Sequence, residues 1–266
     1  MLNFGLSGIL SNRVSGASTL YRRTLSLFID NPSFRAPSRR NQALRRLRET
    51  FPEMAVFPFL QKELEGVDAD TLAVVLNRLR DETDAEPTEI GRRLDRIWKR
   101  KRRVVTFSQS SLVMRLLLER RNRIDQLLIS TAAPNNEGAV AAARYASAGI
   151  DVCLSTDAAL PGLVRRGDYI LVGADCVTER FFVNKCGTLP LLLTGRAVGA
   201  VSLVVFERFK RVTAHDYAFV PRQHPTAEVL PGPKRRINVF NAYFETVPTT
   251  HADWLFSGDG AFRGRK

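Results

Sequence analysis

Cysteine, methionine, histidine and tryptophan are scarce in this chain, at three, three, three and two of 266 residues. Cys153, Cys176 and Cys186 are odd in number and have no metal-ligand spacing. They read as reduced thiols of a cytosolic protein, which excludes a disulfide framework or a zinc site. His215, His224 and His251 also lack metal spacing, so no metal and no cofactor are expected. No apolar run approaches about 18 residues, which excludes a membrane-spanning helix. Residues 1–12 hold neither a basic n-region nor a continuous apolar stretch, so a signal peptide is not expected and the expected location is cytoplasmic. A glycine-rich P-loop, internal repeats and low-complexity tracts are missing too.

Acidic residues are in deficit, 27 against 40 Lys and Arg, giving a net charge of +13. Such an excess points to an anionic partner: nucleic acid, an acidic protein or phosphorylated ligands. Basic residues cluster at Arg39-Arg40, Arg45-Arg46, 99–103, Arg120-Arg121 and 234–236. Aromatic residues do not interleave with these clusters as a base-stacking platform requires, and an Arg-rich solvated surface explains them equally well.

With 44% hydrophobic residues the chain can bury a substantial core. Its first hundred residues follow helical periodicity. Ala17, Leu20, Tyr21, Thr24, Leu27 and Phe28 fall on one face, and Asn31-Pro32 ends that helix. A Pro- and Arg-containing linker is expected over 33–40, then a basic helix marked by Leu44 and Leu47. Leu72, Val75, Leu76 and Leu79 form a stripe capped by Asp68 or Asp70. A separate stripe of Ile90, Leu94, Ile97 and Trp98 is entered through Pro87-Thr88. From residue 104 the pattern changes to short apolar strands alternating with helices. Strands are expected at 104–107, 126–130, 151–155, 169–172 and 200–206, with helices from 112, at 139–148, around 160–164 and at 189–198. This alternation implies βαβ units and a mostly parallel sheet. A late strand is expected within 238–247 and a last short helix at 251–258. The expected division is a helical domain over 1–103 and an α/β sheet domain over 104–266.

The most informative stretch is the run 169–172 leading into Gly173-Ala174-Asp175, followed by Asn184-Lys185-Cys186-Gly187-Thr188. Ligands bind outside the carboxyl ends of strands in open α/β sheets, so a carboxylate, an amide, an ammonium and a glycine turn should lie near one crevice. Asp175 is a candidate catalytic acid/base or sugar-hydroxyl acceptor, or else a loop cap. Lys185 suits a phosphate as a point charge, with Asn184 adding hydrogen bonds; alternatively Lys185 is an ordinary surface lysine. Gly187-Thr188 opens a helix whose N–H groups suit an anion. Asp157 either faces the same crevice or caps the turn at 160–164. Ser108, Gln109 and Ser110 either bind a ligand or cap the following helix. Cys176, beside Asp175, reads as a small buried residue on the opposite face.

The GAD turn, the Asn-Lys-Cys-Gly-Thr segment and Asp157-Ala158-Ala159 occur in an order that resembles one family. It unites the α, β and δ regulatory subunits of eukaryotic initiation factor 2B with isomerases of methylthioribose 1-phosphate and ribose 1,5-bisphosphate. The segment 244–248 with Gly258 is similar to that family's last strand and terminal helix, and Ser15-Gly16-Ala17-Ser18 to its N-terminal helix start. The resemblance covers roughly 12–260 and implies a Rossmann-like sheet domain that dimerises. Two departures stand out. The isomerases carry a Thr-His-Cys-Asn turn with a catalytic cysteine; here the turn is Thr106-Phe107-Ser108-Gln109. Their Glu-Thr-Arg-Pro…Gly loop is here Thr131-Ala132-Ala133-Pro134-Asn135-Asn136-Glu137-Gly138, with Ala133 in place of the arginine. Their Arg-Gly-Ala-Pro segment has no counterpart.

A serine hydroxyl is a far weaker acid than a thiol, and losing a planar phosphate binder is not neutral. The resemblance and its departures imply a non-catalytic regulatory-subunit-like protein. It would bind a sugar phosphate or nucleotide, form a homodimer and act through protein contacts, with a translation factor among the possible partners. The alternatives are an aldose–ketose isomerase, with Asp175 moving the proton and Asn184 and Lys185 holding substrate, and an RNA-associated basic protein.

Overall fold

A computed structural model describes residues 5–12, 16–215, 217, 219–232 and 236–264. Ser15 of the expected helix start, residues 1–4, and Lys234 and Arg235 of the last basic cluster lie outside the described residues. Five helices open the chain: α1 (Leu6–Leu10), α2 (Ala17–Asp30), α3 (Pro37–Thr50), α4 (Val56–Glu63) and α5 (Leu72–Ile97). Strands and helices then alternate: β1 (Arg102–Thr106), α6 (Ser111–Glu119), β2 (Ile124–Ser130), α7 (Glu137–Ser147), β3 (Val152–Ser155) and β4 (Tyr169–Gly173). They are followed by β5 (Cys176–Val177), β6 (Phe181–Lys185), α8 (Thr188–Val198), β7 (Val201–Val205), β8 (Phe244–Pro248), β9 (Trp254–Ser257) and β10 (Gly260–Arg263).

Seven strands form one sheet in the order β10-β9-β7-β4-β1-β2-β3, parallel except for the β9–β10 pair. Side chains alternate between its two faces. Val104, Tyr169, Leu171, Leu203 and Val205 enter one core, and Val105, Ile170, Val172 and Val204 the other. A fully buried parallel sheet therefore reads as continuous apolar runs. From β1 the chain builds outward through β2 and β3, then returns to place β4 on the other side of β1. The carboxyl ends of β1 and β4 thus flank the point where the winding reverses, the usual place for a ligand crevice. A small antiparallel sheet, β5-β6-β8, follows directly from the end of β4.

Three expectations are corrected. The segment 33–40 is not a linker: Pro32–Arg35 form a 3₁₀ turn capped by the Asn31 side chain, and α3 begins at Pro37. Arg40 is fully buried and donates to the carbonyls of Phe34, Arg35 and Val67, which locks the segment to the helical core. The two stripes over 72–98 belong to one helix, α5, with Pro87 inside it. Proline has no N–H for the carbonyl four residues back. That carbonyl, of Thr83, instead accepts from Arg22 of α2 at 3.0 Å. Finally, 251–258 is not a helix. Leu255 and Phe256 pair with Val204 and Val205 on the edge of β7, and they face opposite cores. Residues alternating between two cores satisfy a strand and not a helix.

Helix α5 serves two cores. Leu72, Leu76 and Leu79 pack with α1–α4, whereas Ile90 and Leu94 pack on the sheet. The turn after β7 completes the join, residue by residue. Glu207 accepts from Ser18 of α2 at 2.7 Å, and Arg208 N–H donates to Glu86 of α5. Phe209 stacks on Tyr21 at 4.2 Å between ring centroids, and Lys210 pairs with Glu207 at 3.0 Å. Glu86 also accepts from Gly258 N–H at 3.1 Å, and Arg93 reaches the Gly258 carbonyl at 2.9 Å.

Burial raises the Glu86 carboxyl from 4.5 to about 7, against the two N–H groups that favour its charged form. The folded chain therefore holds that proton more tightly than the unfolded chain. The associated stability is present in acid and fades as pH rises through about 7, by on the order of 3 kcal/mol at most. Glu86→Gln keeps the acceptor and removes the charge. Its melting temperature, followed against pH, should match the parent near pH 4.5 and exceed it at pH 8.

Candidate functional site

The crevice between the ends of β1 and β4 is lined by loops whose backbones are held in unusual conformations. Ser108, Ala132 and Asn136 are left-handed, with φ of 64°, 59° and 57°, and none is glycine. Such conformations persist only where surrounding structure enforces them. Asp157 enforces one of them: its carboxylate accepts from Ala132 N–H at 2.8 Å and Ala133 N–H at 2.7 Å. Asp157 thus clamps the 131–134 loop, with Thr131 Oγ1 also donating to it at 3.4 Å. At the loop's end Gly138 lies so close to the Ser130 carbonyl that a Cβ would stand 2.0 Å from that oxygen.

This loop brings Glu137 beside Ser108 and Lys185. Ser108 Oγ donates to Glu137 Oε1 at 3.0 Å, and Lys185 Nζ sits 2.9 Å from the same oxygen. Lys185 is buried, and is therefore not an ordinary surface lysine. Its ammonium lies 4.8 Å from the Tyr243 ring centre, close enough for a cation–π contribution. Tyr243 stacks on His224 at 3.5 Å and donates to Glu228 at 2.6 Å. Burial, reinforced by the Glu228 bond, pushes the Tyr243 hydroxyl up to about 12. Burial, with Arg222 nearby, lowers the His224 imidazole. Glu137 Oε2 and His224 Nε2 are enclosed and have no partner.

The helix start at Gly187-Thr188 is already capped by a carboxylate. Glu245 Oε1 on β8 accepts from Gly187 N–H at 2.8 Å and Leu189 N–H at 2.9 Å. Asn184 donates to Thr188 Oγ1 at 3.0 Å, and Thr188 donates to the Lys185 carbonyl at 2.7 Å. Gly187 has φ of +108°, and the Phe107 ring lies 2.6 Å from where a Cβ would stand. Phe107 thus packs the sheet core directly against this turn.

Asp175 belongs to the adjoining cluster. Its N–H donates to the Val183 carbonyl at 2.8 Å, while its carboxyl responds to Lys210 and Glu207. Burial raises its pKa; Lys210 opposes this and Glu207 adds to it. Cys176 is a core residue against Ala55, Val183 and Tyr217, and burial pushes its thiol far up. Cys186 is pushed up to about 11 by burial and by Glu245. Of the remaining candidates, Ser110 caps α6 through Val113 N–H at 3.4 Å, and Gln109 is exposed. Cys153 is half-buried on the edge strand β3 and packs against one face's core.

The model of the Initiation factor 2 subunit family matches residues 67–264. The chain belongs to this family. Among curated family relatives, it is 26% identical over 136 residues to translation initiation factor eIF2B subunit alpha of Dictyostelium discoideum, covering 50% of this chain and 42% of that protein. It is 25% identical over 166 residues to ribose 1,5-bisphosphate isomerase of Archaeoglobus fulgidus, covering 59% of this chain and 53% of that one. The chain spans about half the length of the curated relatives it matches. A solved translation initiation factor eIF-2B from Pyrococcus horikoshii OT3 shares its fold, with a TM-score of 0.82 at 19% identity over 97% of this chain and 95% of that one.

Glu137, Tyr243, His224, Glu228 and Glu245 were not singled out from the sequence. Glu137 alone had a local signal, as the acidic residue before Gly138 in the loop that departs from the isomerase pattern. The others reach the crevice from 39 to 60 residues beyond Lys185, by strand pairing and by the chain folding over β8.

Breaking a buried pair from one side costs about 3–5 kcal/mol. Glu137 is 23% exposed, so Glu137→Ala should cost roughly 2–3 kcal/mol in urea unfolding. A double-mutant cycle with Lys185→Met should return at least about 1 kcal/mol of coupling. Gly187→Ala, strained by φ and by Phe107, should cost at least about 2 kcal/mol in the same measurement.

Proposed function

We propose that this chain is a non-catalytic protein of the initiation factor 2B regulatory-subunit kind, which binds a phosphorylated sugar or nucleotide in the crevice and acts through protein contacts. The observation that carries this reading is the Ser108–Glu137–Lys185 cluster. Ser108 occupies the position of the isomerases' thiol and spends its hydroxyl on Glu137. The thiols nearest the hairpin, Cys176 and Cys186, are both shifted toward the protonated form, so neither supplies a thiolate near neutral pH. Ala133 offers no guanidinium to a substrate phosphate. What the crevice keeps is one buried cation, Lys185, held by a carboxylate that a phosphate can replace.

In this reading residues 1–103 form a helical unit and 104–266 the ligand-binding, dimerising unit, with α5 shared between them. Asn184, Gly187 and Thr188 shape the hairpin around Lys185 and do not hold the anion directly, because Glu245 already occupies the helix start. Asp157 and Ser108 position Glu137, and Gln109 stands at the rim. A translation-factor partner is supported by the relative named as an eIF2B subunit. The second reading, an aldose–ketose isomerase with Asp175 as proton carrier, is supported by the raised Asp175 carboxyl and by the relative named as an isomerase.

A ligand that binds only the folded state raises the melting temperature. A panel of pentose phosphates, pentose bisphosphates and nucleotides should contain at least one that does so here. That shift should disappear in Lys185→Met combined with Glu137→Gln, and no ketose should form from any aldose phosphate. Turnover abolished by Asp175→Asn establishes the isomerase instead. Absence of any shift removes the ligand from the proposal. A salt-sensitive RNA complex without a small-molecule shift favours the RNA-associated alternative.

A further inference from the structure

The helical half contains a second cleft, between α3 and α4, of about 900 Å³, a size suited to a small organic ligand. It is separate from the crevice around Lys185 and shares none of its residues. Its floor holds Arg40, which is 1% exposed. Two guanidinium nitrogens of Arg40 are spent on the main-chain carbonyls of Phe34, Arg35 and Val67, and Nε is enclosed without a partner. Among the described residues, no carboxylate forms an ion pair with it. Asp68 lines the cleft and is the acidic group that acts on Arg40; its Oδ1 accepts from Asp70 N–H, Thr71 N–H and the Thr71 hydroxyl at 3.0, 2.8 and 2.7 Å. A buried guanidinium with an unpartnered nitrogen is costly, and an acceptor entering the cleft can satisfy it.

Positions 41, 45 and 48 of α3 fall on one helical face, so Arg45 and Arg48 line the cleft together above Arg40. Arg48 is oriented by Gln61 of α4 at 2.7 Å, a neutral partner that leaves its charge available. The opposite character comes from Phe51, Met54 and Pro58, which give the same cleft an apolar and aromatic wall. Tyr217 also lines the cleft and brings an enclosed hydroxyl that has no hydrogen-bond partner. A guanidinium pair over a buried cation matches a phosphate; an apolar wall beside it matches a flat organic group. Exposed Glu49 and Glu65 line the cleft as well and repel a polyanion, which favours a single phosphate over a nucleic-acid strand.

We propose that the α3–α4 cleft is a second ligand site, taking a phosphomonoester that carries an aromatic or apolar group. The site is placed to influence the crevice. The Tyr217 ring packs on Ala55 at the start of α4 and on Cys176 and Val183 of the β5–β6 hairpin, and that hairpin carries Lys185.

The test is isothermal titration of the full chain with the four nucleoside 5′-monophosphates, phenyl phosphate and inorganic phosphate. At least one organic phosphate should bind with Kd below ~1 mM and at least about tenfold tighter than inorganic phosphate. Arg45 and Arg48 are exposed, so Arg45→Ala with Arg48→Ala should leave the fold intact, checked by its melting temperature. That pair should weaken binding by about tenfold or more. Lys185→Met with Glu137→Gln should leave it unchanged. The proposal fails if no organic phosphate binds below ~1 mM, or if inorganic phosphate binds as tightly. It also fails if binding survives the arginine pair and is lost in the Lys185 pair, which assigns the ligand to the crevice.

Discussion

The buried pair of Glu207 and Lys210, with Ser18 bound to Glu207, is the interaction on which the two halves of this molecule depend. Taking two charges out of water is expensive, and their attraction offsets it only when the other lone pairs and protons are satisfied. Here the Ser18 hydroxyl takes one carboxylate oxygen, and the flanking residues are tied as well, Arg208 to Glu86 and Phe209 to Tyr21. Four consecutive residues at the end of β7 thus hold α2 and α5 against the sheet. The same turn governs Asp175. Lys210 acts on two carboxylates: it holds Glu207, in direct contact, below its usual range, while burial raises Asp175 above its own.

A second theme is that this chain meets its own anion-binding groups with its own carboxylates. Lys185 is held by Glu137, the α8 helix start by Glu245, and the two loop N–H groups beside β2 by Asp157. Each arrangement would suit a phosphate in chemistry, and each is satisfied internally. The Arg40 floor of the α3–α4 cleft is the contrast, a buried cation whose hydrogen bonds go to main-chain carbonyls and not to a carboxylate. The difference lies in what surrounds each group. The crevice loops place a carboxylate against each such group, whereas the α3–α4 cleft mixes Arg45 and Arg48 with Glu49, Glu65 and Asp68 and leaves Arg40 Nε without a partner.

Much of the sheet was legible because fully buried parallel strands must be apolar on both faces, and runs such as 169–172 and 201–205 have no other reading at that length. The helical half was legible in its stripes and illegible at its joints. Proline at 87 signals a boundary locally, but Arg22, 65 residues earlier, supplies the donor that lets the helix run through. Asn31 and the burial of Arg40 turn an apparent linker into ordered structure. Trp254 to Ser257 form a strand because β7 offers an unpaired edge, a condition no local window contains. In the crevice, Lys185 and Ser108 were visible as residue types at a strand end. The carboxylate that joins them was visible only as the residue before a glycine.

The sequence by itself determined the alternation of strand and helix and the apolar runs of the buried sheet, which follow from periodicity and residue identity and are local. Its resemblance to the isomerases implied that a thiol and an arginine are missing at Ser108 and Ala133. Tertiary structure alone decided how each charged group is used: Lys185 against Glu137, Asp175 toward Lys210, the α8 start under Glu245, and Arg40 beneath an open cleft. The strength and sign of a charge's effect depend on burial and on partners within a few ångströms. Those partners come mostly from segments tens of residues apart in the chain.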